Sequence, residues 1–110
     1  MAMFGENTCK AWGDASMAGT MSLRDSYNFS SVTDIGTGRI RFSFDVDAEA
    51  SKYAIATLSG NNSGTTTSGR TQNLDSSRAA ANFIIRNLNM NSANSVTDDT
   101  YIGVIVFMDT

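Results

Sequence analysis

The most regular pattern in the chain runs from Gly38 to Asp47, where Ile40, Phe42, Phe44 and Val46 alternate with Arg39, Arg41, Ser43 and Asp45. A two-residue period sends successive side chains to opposite faces, so this segment reads as a strand with one apolar and one solvated face. Tyr27 to Thr33 forms a second extended run just before it, and Asp34-Ile35-Gly36-Thr37-Gly38 between the two supplies glycines able to take positive φ. Together they predict a hairpin. Lys52 to Leu58 predicts a further strand, with Tyr53, Ile55 and Thr57 on one face and Ala54 and Ala56 on the other. Arg78 to Leu88 fits two periods: Ala80, Phe83, Ile84 and Leu88 match a helix, whereas Ala81, Phe83, Ile85 and Asn87 match a strand, and the strand is preferred.

The final segment, Tyr101 to Met108, is apolar on both alternating faces and rich in β-branched residues, the pattern of a strand covered on both sides. A two-layer sandwich covers one face from within. The other is expected to meet a second subunit or a neighbouring component, or else the chain's own loops, and the pattern leaves both open. Tyr101, Ile102, Val104 and Val106 are the candidate subunit contacts. From Ser59 to Ser77 the residues are nearly all Gly, Asn, Ser, Thr and Gln, with Leu74 the one sizeable apolar side chain. That stretch predicts a long polar loop, a place where recognition surfaces concentrate.

Composition supports an all-β reading, since Ser, Thr and Asn, which favour turns and edges over helices, make up about a third of the chain. The expected fold is an antiparallel β-sandwich forming a single domain over residues 1–110. A domain of this size buries only about two-thirds of the surface its unfolded chain exposes, which favours self-association. Eight Lys and Arg against eleven Asp and Glu give a net charge of −3, and no basic run offers a surface for nucleic acid. The absence of His removes Ser-His-Asp and Cys-His catalysis, and one cysteine, Cys9, excludes an internal disulfide. The opening residues carry no signal-peptide pattern, and no apolar segment is long enough to span a membrane, so the chain is expected to fold in the cytoplasm without membrane insertion.

Candidate chemistry is sparse. Gly64 to Thr71 echoes a phosphate-binding loop, but Arg70 stands where the lysine belongs and no strand-to-helix junction surrounds it. Asp45, Asp47 and Glu49, two apart, would converge on a cation if the strand continued, although a solvated face explains them better. Trp12 reads as core rather than as a sugar-stacking residue, and Cys9 as a small buried residue. The chain is expected to be non-enzymatic, with no catalytic residues, metal or cofactor.

Cys9-Lys10-Ala11-Trp12, followed by Leu23-Arg24-Asp25-Ser26-Tyr27-Asn28-Phe29-Ser30-Ser31-Val32-Thr33-Asp34 and Gly36-Thr37-Gly38, resembles a small β-rich domain common in tailed bacteriophages. Its pattern runs C-K-A-W, then I-R-D-S-Y-N-V-S-S-I-T-D-x-G-T-G. Two departures stand out: Gly13 to Gly19 replaces an apolar-aromatic strand with Asn-Gly, and no proline precedes the strand at Tyr53. The resemblance implies a virion structural protein, a homotrimer packed with other virion proteins, that serves as a tail-fibre or tip module in host adsorption. The alternative is a trimeric capsid decoration protein that stabilises the phage head. Arg24 and Asp25, adjacent in this block, would make an intersubunit ion pair, and a surface pair contributing little fits equally well. Asn61, Asn62, Thr66, Arg70 and Gln72 of the polar loop are the candidate contacts to a host cell-surface glycan, because amide and guanidinium groups suit that chemistry.

Overall fold

A computed structural model of the chain describes residues 9–60, 69–73, 78–89, 96, 98 and 100–108. Every regular element among them is a strand: β1 (Ala11–Ser16), β2 (Ser22–Tyr27), β3 (Phe29–Gly36), β4 (Arg39–Phe44), β5 (Ala54–Gly60), β6 (Gly69–Asn73), β7 (Asn82–Asn89) and β8 (Tyr101–Phe107). They form two four-stranded sheets, ordered β2-β1-β8-β5 and β3-β4-β7-β6, with every pairing antiparallel. The sheets pack face to face over one core, the layering expected of strands with a single apolar face. Among the described residues no helix is long and apolar enough to cross a membrane.

The predicted hairpin is β3–β4, closed through Thr37 and Gly38, with Gly38 at φ 69° and Asp34 Oδ1 accepting the Gly36 N–H at 3.0 Å. Ile40, Phe42 and Phe44 are buried as the alternation requires. The strand stops there, so Val46 lies exposed, and Asp45, Asp47 and Glu49 have no continuing strand to align them. The ambiguous 78–88 segment resolves as strand β7, which buries Phe83, Ile85 and Asn87.

Large side chains come mainly from one sheet and small ones from the other. Phe29, Phe42, Phe44 and Phe83 of the second sheet gather with Tyr53, and Phe83 lies within 5.5–6.0 Å of each of the other four rings. Opposite them β1 presents only Ala11, Gly13 and Ala15. A Cβ on Gly13 would approach Phe29 to 3.1 Å and Phe42 to 3.3 Å, so the rings occupy the space a side chain would need. Trp12, expected in the core, therefore faces outward with 39% of its surface exposed.

Two further corrections follow from pairing. Ser59 and Gly60 complete β5 and Gly69–Asn73 form β6, so the predicted 59–77 loop is interrupted by sheet; Leu74 lies outside the described residues. Ile102, Val104 and Val106, candidate subunit contacts, are fully buried in the chain's own core, because β8 turns its β-branched face inward.

The extended run 27–33 is broken at Asn28, where φ is 59°. This left-handed residue ends β2 in one sheet and starts β3 in the other. Its amide acts like a strand partner, with Oδ1 accepting from Val46 N at 2.7 Å and Nδ2 donating to Val46 O at 3.1 Å. We predict that Asn28→Ala costs about 3 kcal/mol, about 1 from each hydrogen bond and about 1 from left-handed backbone strain. Asn28→Gly removes the same bonds without the strain and costs about 2 kcal/mol. Phe83→Ala, at the hub of the rings, is expected to cost about 3–5 kcal/mol. Urea unfolding midpoints of the three variants check all three values.

Candidate functional site

Strand register turns the outer face of the β2-β1-β8-β5 sheet into cross-strand rows. Tyr27, Trp12, Ile105 and Ala56 make one row across all four strands, and Asp25, Asp14, Gly103 and Leu58 make the next. Phe107 lies opposite Ala54, and Tyr101 opposite Gly60. Trp12, Tyr27, Leu58, Tyr101, Ile105 and Phe107 are all exposed. Gly103 contributes no side chain, which leaves a depression of about 380 Å³ between Trp12, Ala56, Leu58 and Ile105.

A β-bulge places the charge on this face. Register passes from Ala15↔Leu23 directly to Asp14↔Asp25, so Arg24 is the extra residue and its side chain is re-aimed. The guanidinium donates to Asp14 Oδ1 at 2.7 Å and Ala15 O at 3.1 Å, and its centre lies 4.5 Å above the Tyr101 ring. Arg24, expected at a subunit contact, is thus held by its own chain, and Asp25 accepts its neighbour's Ser26 N–H at 2.9 Å.

The other sheet carries a different outer face. Thr33, Arg41 and Ile84 form one row, and Arg39, Arg86 and Gln72 another. Arg39 and Arg41 alternate along β4 and Arg86 comes from β7, so only strand pairing brings the three arginines together. Single-sequence reading found no basic run because these cations are distributed through the sequence rather than along one segment.

The same pairings define two ends of the sandwich. At one lie the β1–β2 turn (17–21), the Thr37–Gly38 turn, and the points where the 61–68 and 90–100 connections leave Gly60 and Asn89 and re-enter at Gly69 and Tyr101. Asp98 ties two of these together by accepting the Gly38 N–H at 2.6 Å, while the Asn87 N–H donates to Gly38 O at 2.7 Å. At the opposite end β1 begins beside the finish of β8, with the Lys10 N–H donating to Val106 O at 2.9 Å. Of the predicted glycan contacts, Arg70 and Gln72 occupy β6 backbone positions opposite Leu88 and Arg86; Asn61, Asn62 and Thr66 lie outside the described residues. Cys9, half-buried, donates its thiol to Ala11 O at 3.1 Å.

Near the second end a depression of about 500 Å³ is walled by Lys52, Tyr53, Arg78, Phe107 and Met108. The Tyr53 hydroxyl lies 2.9 Å from Ala79 O and 3.1 Å from Asn82 O, and the Arg78 guanidinium sits 4.8 Å from the ring centroid while donating to Tyr53 O. Burial raises the Tyr53 pKa above its ordinary value of 10.0, against the opposing pull of the Arg78 charge and the Ala79 hydrogen bond. No group of three or more His, Cys, Asp or Glu suited to a metal ion occurs among the described residues.

Because the folded protein keeps this proton longer than the unfolded chain, Tyr53 contributes stability that is fully present below pH 10 and is lost as pH rises through the raised pKa. Tyr53→Phe is expected to lower stability by about 1 kcal/mol at neutral pH and to flatten the alkaline decline. Urea midpoints between about pH 8 and pH 11.5 test both. No protein-family model, no curated protein and no solved structure matches the chain.

Proposed function

We propose that the chain is a structural β-domain of a tailed-bacteriophage virion, a tail-fibre or tip module that acts in host adsorption by binding a cell-surface glycan. The observation that carries this reading is the cross-strand pair Arg39–Arg86, set beside the end of the sandwich at which β5 and β7 finish and β6 and β8 begin. Guanidinium groups on one sheet face suit a ligand rich in hydroxyl, carboxylate or phosphate groups. The resemblance of Cys9–Trp12 and Leu23–Gly38 to phage tail domains supplies the virion context.

Purified chain added in excess is expected to compete with intact phage for adsorption to the host. Arg39→Ala with Gln72→Ala is expected to weaken that competition roughly tenfold or more, the effect of losing at least one charge-assisted hydrogen bond. Arg39 is exposed, so the circular dichroism spectrum should remain that of the parent. Equal competition by variant and parent, or a particle image placing every copy on the head, overturns the reading.

A further inference from the structure

We infer that the outer face of the β2-β1-β8-β5 sheet is a self-association surface that takes a second copy of this chain, face to face about a two-fold axis. Its six exposed large side chains present roughly 600 Å² of largely apolar surface, at the upper end for the largest patch of a typical monomer. With the flanking Ala54, Ala56 and the stems of Arg24 and Asp14, the face approaches the ~800 Å² that each partner contributes to a standard stable interface.

Shape identifies the occupant. Leu58 is 76% exposed on the edge strand and stands directly opposite Gly103, whose missing side chain leaves the 380 Å³ depression. Knob and hole are therefore neighbours on one surface. A two-fold axis passing between them seats each copy's Leu58 in the other's depression, the self-complementarity an isologous interface requires. A carbon-lined depression gives a sugar little to hydrogen-bond, whereas it suits a leucine. Two carboxylates, Asp14 and Asp25, stand in the Leu58 row, where Arg24 pairs with Asp14, and the Trp12 row carries no charge. Two sheets joined this way stack at the ~10 Å spacing of ordinary sheet packing.

Sedimentation of the intact chain between about 1 and 100 µM is expected to show a reversible monomer–dimer equilibrium, accompanied by a blue shift in emission of Trp12, the one tryptophan. Leu58→Glu and Gly103→Leu should each raise the dimer Kd by roughly tenfold or more. Both positions have room at the point of substitution: Leu58 points to solvent, and a Cβ on Gly103 meets nothing closer than Leu58 O at 4.0 Å. Melting curves of the variants at low concentration confirm that the fold is intact. A monomer throughout, or an oligomer that both substitutions leave unchanged, overturns the inference; a trimer that they dissolve overturns the two-fold seating.

Discussion

Phe83 touches Phe29, Phe42, Phe44 and Tyr53, and the space between the sheets is organised around those contacts. Rings of this size fill the interior only if the facing strand recedes, which is what Ala11, Gly13 and Ala15 do on β1. Close packing makes the arrangement exclusive, since interiors have no spare volume for a second bulky side chain. One consequence reaches the surface: the strand that presents small residues inward turns Trp12 outward. Trp12's place on the outer face is thus a consequence of how the core is filled.

The alternation at Ile40, Phe42 and Phe44 was legible because one face of β4 is apolar and the other polar. Tyr101 to Phe107 offered no such contrast: both faces are apolar, so periodicity established a strand and left its orientation open. The inward choice fell on Ile102, Val104 and Val106, compact side chains that fit beside the rings, leaving the bulkier Tyr101 and Phe107 outside. β6 was invisible for the opposite reason. Gly69-Arg70-Thr71-Gln72-Asn73 has no apolar period, and its pairing with β7 becomes apparent only when the partner strand is in place. Trp12 was misread because hydrophobicity ranks a tryptophan above its alanine and glycine neighbours, whereas the available volume ranks them the other way.

Residues of the Tyr27–Gly38 segment hold the fold together. Asn28 carries the chain from one sheet to the other with a left-handed turn and a strand-like amide pair to Val46. Asp34, Gly36 and Gly38 shape the β3–β4 turn, and Gly38 is gripped from both sides by Asp98 and the Asn87 backbone. A motif whose members satisfy backbone groups and set φ specifies a scaffold, and scaffolds serve many functions. The surfaces that differ in chemistry lie elsewhere, on the two outer faces.

Those surfaces divide the molecule in a way that net charge conceals. A chain with net charge −3 nonetheless places Arg39, Arg41 and Arg86 on one outer face and an aromatic-aliphatic field on the other. Arg39 and Arg86 stand directly opposite each other in the β4–β7 register. The two faces are therefore suited to different occupants: the polar one to groups that accept hydrogen bonds from guanidinium, the apolar one to a surface of its own shape. A sandwich two sheets thick presents one of these faces on each side of the same ring cluster.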